Sequence, residues 1–257
     1  MVMDYTKLMD FTGKIVLVSG SSRGIGEAVV RAFAANGANV IVSSRDQGAC
    51  DSVAASIRAD GGNAKARACH AGKMEDVKAI FEWIKSEYGT LDVLVNCGGT
   101  NPFYGLIGET PEAAFDKTID VNLKGPFYLS AEAVKIMKVA KGGAIVNVAS
   151  INGITPGHLQ GVYSVTKAAM INMTKSYARE YGADGIRVNA ICPGFVETNM
   201  TKVFTSNEDV MNSVIKQFPI ARAGQPNDMV GGVLYLASDA AAFTTGTTLV
   251  MDGGYLA

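Results

Sequence analysis

Runs of apolar, largely β-branched residues alternate along the chain with segments of helical period, almost from one end to the other. The runs predict strands at Ile15–Ser19, Asn39–Ser43, Ala64–Cys69, Leu91–Asn96, Gly143–Ala149, Ile186–Ile191 and Thr248–Met251. Several are apolar at successive positions, as around Ile145, Val146 and Val148, the pattern of a strand covered on both faces in a parallel sheet. Between the strands, Gly24–Asn36 places Ile25, Ala28, Val29, Ala32 and Phe33 on one helical stripe and stops at Gly37. Met74–Tyr88 does the same with Val77, Ile80, Phe81 and Ile84 before Gly89. Strand, helix and strand at a spacing of about thirty residues make a βαβ unit with a right-handed crossover. Repeated along the chain, the unit predicts one α/β domain, a doubly wound seven-stranded parallel sheet with helices on both faces. Such sheets bind ligands beyond the carboxyl ends of their strands, so chemistry is to be sought there.

No linker, repeat or low-complexity tract divides the 257 residues, a length that suits one domain with a full core. At 48% apolar and 18% charged residues the composition is that of a globular chain rather than a disordered one. A formal net charge of −1, without a block of Lys or Arg, argues against nucleic acid or a membrane surface as partner. Met1–Lys14 carries Asp4, Lys7 and Asp10 and no apolar stretch, unlike a secretory leader. The best apolar run, Val230–Ala237, falls far short of the ~18 residues a membrane span needs. Cys50, Cys69, Cys97 and Cys192 lack the paired spacing of a disulfide framework or a zinc site, and only His70 and His158 could supplement them. The cysteines are therefore expected in the core, no metal is expected, and the expected compartment is the cytoplasm.

After the first strand comes Ser19-Gly20-Ser21-Ser22-Arg23-Gly24-Ile25-Gly26. Glycines at this spacing let the chain turn sharply and bring backbone N–H groups to a pyrophosphate, toward which the next helix points its positive end. A glycine triplet alone is a weak signal, but its place between a buried strand and a helix is what a dinucleotide site requires. At the end of the second strand an NAD site places a carboxylate for the ribose 2′-hydroxyl. Here Ser43-Ser44-Arg45 stands instead, and Arg45 with Arg23 can pair with a 2′-phosphate through charge-assisted hydrogen bonds. NADP(H) is the expected cofactor, although Asp46 directly after Arg45 keeps NAD open.

Taken together, Ser19-Gly20-x-x-x-Gly24-x-Gly26, Tyr163-x-x-x-Lys167 and Pro193-Gly194 resemble the short-chain dehydrogenase/reductase family over nearly the whole chain. Within it, Ser43-Ser44-Arg45 and Asn101-Pro102-Phe103 are similar to the NADP-dependent carbonyl/retinal reductase group, a less specific likeness. The resemblance implies a Rossmann-type oxidoreductase that moves a hydride between a nicotinamide and a carbonyl or alcohol carbon. The residues support that chemistry in their own right. Tyr163 and Lys167 lie four apart in the helical segment Gly161–Tyr181 and share a face. A free phenol, with a pKa of about 10, is a poor base near neutrality. A nearby ammonium, together with the positive charge of an oxidised nicotinamide, is expected to favour the phenolate. Ser150 closes the fifth strand thirteen residues before Tyr163, where its hydroxyl can hold the substrate oxygen. The resemblance also implies a role for Asn122, matching a position where an Asn is thought to hold a water in a proton relay to the lysine. Without the family, a mid-helix Asn reads as a surface residue or a kink.

The remaining cofactor contacts follow from the resemblance. Asn96 and Gly98 stand in Asn96-Cys97-Gly98-Gly99, where the family carries Asn-Asn-Ala-Gly; Cys97 replaces the Asn whose usual work is bracing the sheet. His70 and Ala71 fall where the family touches adenine, and Pro193, Gly194, Val196 and Thr198 where it holds the carboxamide, with Ser22, Ile25 and Ser44 completing the phosphate and ribose end. Asn101–Leu106, Ile151–Leu159 and Phe195–Phe218 are expected to wall the substrate pocket, through Phe103, Tyr104, His158, Leu159, Phe195, Met200 and Phe204. These side chains are mostly apolar, and Lys202 and Lys216 are isolated cations, which favours a small uncharged carbonyl or alcohol. A substrate lid is expected around 195–218, its Lys202–Phe218 stretch helical and mobile. The resemblance implies a homotetramer joined through Ala113–Lys138 with Gly161–Tyr181 and through Gly224–Ala257. Three alternatives stay open: an NAD-dependent alcohol dehydrogenase of the same family, an epimerase or dehydratase, and a protein that only senses a dinucleotide.

Overall fold

The computed structural model describes residues 7–201, 215–216 and 218–257. The seven strands are β1 (Ile15–Ser19), β2 (Asn39–Ser43), β3 (Asn63–Ala66), β4 (Val93–Asn96), β5 (Gly143–Val148), β6 (Ile186–Pro193) and β7 (Thr248–Met251). They pair in parallel throughout, in the order β3-β2-β1-β4-β5-β6-β7. The chain winds outward from β1 to β3 and then returns to lay β4 on the other side of β1. The crossovers on either side of β1 therefore diverge and leave a crevice at the carboxyl ends of β1 and β4. The expected doubly wound parallel fold is the observed one.

Among the described residues seven longer helices cover the sheet: α1 (Gly24–Ala35), α2 (Gln47–Ala59), α3 (Met74–Tyr88), α4 (Glu112–Ile119), α5 (Gly125–Ala140), α6 (Gly161–Tyr181) and α7 (Val230–Ala237). Strand residues alternate between two cores. Val16 and Val18 of β1 join Phe33 of α1 and Leu236 of α7, whereas Ile15 and Leu17 join Ile80 of α3, Leu129 of α5 and Met170 of α6. Continuous apolar strands are thus the consequence of burial on both faces. In α1 the buried side chains are Val29, Val30, Phe33 and Ala34, so the helix is turned about one residue from the predicted stripe.

β5 stops at Val148 and β6 runs on to Pro193, and three further departures have local reasons. β3 ends at Ala66 because only four of its residues align with β2; beyond it Arg67 N donates to Val42 O and Cys69 N to Ser44 O without regular register. β4 begins at Val93 because Asp92 turns its carboxylate back to accept the Ile15 amide at 2.8 Å. Most importantly, the helical stretch after Glu112 is interrupted by a wide π turn at Asp120–Lys124, with Pro126 next to its end. Proline has no N–H to give the carbonyl four residues back, that of Asn122, and the ladder widens where that bond is missing.

Candidate active site

The carboxyl ends of β1, β2, β4, β5 and β6 open into one cleft of about 750 Å³. At one end β1 turns into α1 through Gly20, whose φ of +71° suits glycine and whose Cα would carry a Cβ only 2.6 Å from the Gly98 Cα. Gly26 sits with its Cα against the Gly20 carbonyl, so a side chain there would force the turn open. Ser21 ties the two strand ends together, donating to Val18 O at 2.6 Å and accepting from the Ser43 amide at 2.9 Å. Arg23 precedes α1 in extended conformation and gives no side-chain cap, which leaves the first amides of this 12-residue helix to an occupant of the cleft. Arg23 and Arg45 are exposed on the rim, and among the described residues neither forms an ion pair. Asp46, by contrast, is committed to α2, its carboxylate accepting the Ala49 amide at 3.0 Å.

At the other end, Ser150, Tyr163 and Lys167 converge on the same cleft. Ser150 leaves β5 extended, accepts the Asn152 amide at 3.1 Å and lies near enough to the Tyr163 hydroxyl to favour its ionisation. Lys167 is 3% exposed and donates to the Val148 carbonyl at 2.8 Å, its Nζ lying 5.5 Å from the centre of the Tyr163 ring. The electrostatics differ from the sequence expectation. Burial pushes the Tyr163 phenol up to about 12, with Ser150 pulling the other way, and burial brings the Lys167 ammonium down to about 8. Desolvation is the largest influence on the phenol, which therefore keeps its proton.

Asn122 is fully buried behind this end, not in the cleft. Its carboxamide grips one residue twice, accepting from Thr100 N and donating to Thr100 O, both at 2.8 Å, and reaches Thr166 Oγ1 at 3.3 Å. It is neither a surface residue nor a simple kink; it locks the loop after β4 to the π turn.

The family model described as enoyl-(acyl carrier protein) reductase matches residues 20–256 of the chain. An uncharacterized oxidoreductase of Thermotoga maritima is 38% identical over 96% of this chain and 98% of its own. The chain is a short-chain dehydrogenase/reductase. Among its further relatives, human dehydrogenase/reductase SDR family member 4 is 34% identical over 97% of this chain and 90% of its own. A crystal structure of a gluconate 5-dehydrogenase from Burkholderia cenocepacia J2315, in complex with NADP and tartrate, superposes with a TM-score of 0.95 at 26% identity, covering 98% and 99% of the two chains.

Of the cofactor residues expected in this short-chain dehydrogenase/reductase, all but Asn96 line the cleft. Asn96 is fully buried on the opposite side of β4, donating to Asn147 Oδ1 at 2.8 Å and Ser130 Oγ at 3.0 Å. Asn147 in turn donates to Thr174 Oγ1 at 2.9 Å, so the network joins β4 and β5 to α5 and α6. The sheet brace is thus Asn96, and Cys97 lines the cleft, the reverse of the expectation. Period two explains it: Leu94 and Asn96 face α5 and α6, Val95 and Cys97 face α1. The other cysteines are buried, and among the described residues all four are free. His70 lines the cleft and closes a turn, its Nδ1 accepting the Gly72 amide at 3.2 Å. Among the described residues no three His, Cys, Asp or Glu side chains gather as a metal ion would need.

The substrate wall departs furthest from expectation. Tyr104 and Met200 line the cleft, but Phe103, His158, Leu159 and Phe195 do not. The Phe103 ring folds back over Gly105, and the Leu159 carbonyl is taken by the Gly105 amide at 3.1 Å. Asn101, for which the apolar count made no place, lines the cleft, with its amide donating to Gln160 Oε1 at 3.3 Å. Lys202, Phe204 and most of the expected lid lie outside the described residues; Phe218 is buried against Tyr255, their rings 5.1 Å apart.

Proposed function

We propose that this short-chain dehydrogenase/reductase transfers a hydride between NADP(H) and a small carbonyl or secondary alcohol, with Tyr163 giving or taking the proton. The convergence of Ser150, Tyr163 and Lys167 at one end of a cleft whose other end presents two arginines, neither in an ion pair among the described residues, carries the reading. The phosphate end fits a dinucleotide: Gly20 and Gly26 leave no room for side chains, α1 starts uncapped, and Arg23 and Arg45 suit a 2′-phosphate. The capping role of Asp46 removes the carboxylate that a 2′-hydroxyl would favour. His70 and Ala71 flank the adenosine end, while Gly98, Pro193, Gly194, Val196 and Thr198 border the nicotinamide end. The bound cofactor supplies the hydride.

The chain's own groups handle the proton. Ser150 holds the substrate oxygen beside the Tyr163 hydroxyl, and Tyr163, protonated in its buried setting, donates to that oxygen in reduction. Lys167 sits under the phenol ring, where its charge stabilises the phenolate left behind. Asn122 keeps the Thr100 backbone, and with it the roof of the site, in place.

A homotetramer in the cytoplasm completes the proposal. Leu106, Ile107, Phe115, Phe127, Tyr128 and Val165 are exposed around α4, α5 and α6, with a groove of about 370 Å³ between Ile107, Phe115, Val162 and Val165. Phe243, Val250 and Tyr255 are exposed near β7. Two such apolar faces suit two isologous interfaces. Four free cysteines are consistent with a reducing compartment, and among the described residues no helix is long and apolar enough to cross a membrane.

Reduction of a carbonyl panel followed by nicotinamide absorbance, with NADPH and NADH, tests the reading. Tyr163→Phe is expected to lower kcat by about 10³-fold while NADPH still binds, the size of a lost general acid. Unchanged turnover in that variant would refute the role of Tyr163.

A further inference from the structure

We infer that the base end of the cleft recognises its purine by donating a hydrogen bond from His70, and so takes a hypoxanthine dinucleotide as readily as the adenine one. The ligand class is NADP(H) together with its counterpart in which the exocyclic amino group of the base is replaced by oxygen. This rests on the dinucleotide reading above and specifies how the same site reads the base.

The inference comes from how the turn after β3 is held. The His70 amide donates to the Asp76 carboxylate at 2.9 Å, the Lys73 amide to His70 O at 2.8 Å, and the Gly72 amide to His70 Nδ1 at 3.2 Å. A ring nitrogen that accepts from a backbone N–H carries no proton of its own, so the imidazole proton sits on Nε2. A Cβ on Gly72 would lie 3.2 Å from the His70 ring and 3.4 Å from the Asp120 Cβ, so this turn packs directly against the π turn. His70 lines the cleft, and its Nε2–H has no partner among the described residues. What the fixed ring offers an occupant is one donor and no acceptor.

The surrounding side chains share that polarity. Lys117 and Val121, four apart on the segment that enters the π turn, also line the cleft, and Lys117 forms no ion pair among the described residues. The carboxylates that could accept from an amino group are committed elsewhere. Asp76 holds the His70 amide and Asp120 pairs with Lys124 at 2.6 Å. Asp46, the one carboxylate among the described residues lining the cleft, holds the Ala49 amide at 3.0 Å. Ile80, Leu129 and Val121 give the cleft apolar walls that suit the faces of a planar base. Adenine presents an amino donor beside ring-nitrogen acceptors, whereas hypoxanthine presents a carbonyl oxygen in the place of the amino group. The Nε2–H can donate to a ring nitrogen of the first or to the oxygen of the second. A carboxylate at this place would accept the amino group and repel the oxygen.

Binding reads this without turnover. We would measure Kd by nicotinamide fluorescence for NADPH and for reduced nicotinamide hypoxanthine dinucleotide phosphate. In the unmodified protein the two are expected to agree within about threefold, since one hydrogen bond replaces another. In His70→Asp, NADPH is expected to be favoured about tenfold or more, the size of a hydrogen bond to a charged group. His70→Asn supplies an oxygen for the Gly72 amide and again a donor, so its ratio is expected to stay near that of the unmodified protein. Side-chain nitrogen NMR spectra, simple in a chain with 2 histidines, are expected to show the His70 proton on Nε2. A preference for NADPH beyond threefold in the unmodified protein would overturn the inference and leave the dinucleotide reading standing. So would a proton on Nδ1, or a His70→Asp variant that weakens both ligands alike, the mark of a structural role. If neither dinucleotide binds the unmodified protein, the cofactor reading itself falls, and this inference with it.

Discussion

At the glycine turn the cleft is shaped by main chain, whereas at the opposite end it is shaped by side chains that meet from distant parts of the sequence. Gly20 and Gly26 define the first region by what they lack, and the contact that matters there is backbone against backbone, Gly20 on Gly98 and Gly26 on Gly20. The second region depends on Asn122 reaching back 22 residues to Thr100 and on Asn101 meeting Gln160 59 residues ahead. A site made by sterics tolerates almost no substitution but needs no support. A site made by hydrogen-bonded loops can change its selectivity one residue at a time, provided the anchor holds. That division suits a protein whose cofactor is fixed and whose substrate is a matter of loop chemistry.

The comparison is broken most severely at the glycine turn. Gly20→Ala places a Cβ 2.6 Å from the Gly98 Cα at a φ of +71°. Neither neighbour is a flexible side chain that can yield. We expect NADPH affinity to fall by about a hundredfold, from a strain and clash of some 2–3 kcal/mol. Titration of the variant by nicotinamide fluorescence checks this, and near-normal affinity would mean that the turn is far softer than its geometry.

Arg45→Ala should act at the same end but only on the phosphate. Loss of one charge-assisted hydrogen bond is worth about 1.5–3 kcal/mol, so the KM for NADPH is expected to rise tenfold or more. The KM for NADH should stay nearly where it was. A parallel rise for both cofactors would remove Arg45 from the discrimination and reopen the NAD reading.

Both cofactor-end features were legible in the sequence because they need only local information. A strand, a glycine turn, a helix and an arginine two residues past a strand end are all written within about thirty residues, the span of one βαβ unit. The seven strands were legible for a similar reason, since burial on both faces leaves continuous apolar runs. What escaped was set by tertiary contact. The widened turn at Asp120–Lys124 has a visible cause in Pro126, but not its consequence, that Asn122 would clamp Thr100. The exchange of roles between Asn96 and Cys97 could have been decided from the alternation of β4, had parity been followed instead of a family position. The inward turn of Asn101 and the outward turn of Phe103 have no sequence signal, because Gln160 and Gly105 decide them.

Asn96 offers a sharper test of that lesson, with a moderate effect. If it is a brace and not a cofactor ligand, Asn96→Ala should destabilise the fold while leaving the cleft intact. The variant strands the buried Oδ1 of Asn147 without its donor, at a cost of about 1–3 kcal/mol. A fall of several degrees in Tm is expected for a domain of this size, with NADPH affinity within about twofold of the original. An unchanged Tm with weakened cofactor binding would restore the role that the family position suggested.

The smallest effect concerns the paired titration at the reacting end. Lys167 has a folded pKa of about 8, below the ordinary 10.5. Between those values the unfolded chain holds a proton that the folded one has lost, so stability rises with pH there, by at most about 1.4 kcal/mol per pH unit. Tyr163 acts in the opposite sense, because its folded pKa of about 12 lies above the ordinary 10. Its share of the stability is complete below pH 10 and is lost as pH climbs toward 12. In urea unfolding of the protein between pH 7 and 9.5, only the lysine of these two contributes appreciably, and the buried cysteines, whose raised values lower stability as pH approaches 9.5, act alike in the native chain and in a Lys167 variant. The stability difference between the native chain and Lys167→Met should therefore shift in favour of the native chain as pH rises through 8. Parallel curves for the two proteins would show that the buried ammonium is not desolvated as its surroundings imply. Tyr163 would then feel a full positive charge beneath its ring, and the difference between the two ends would no longer extend to their electrostatics.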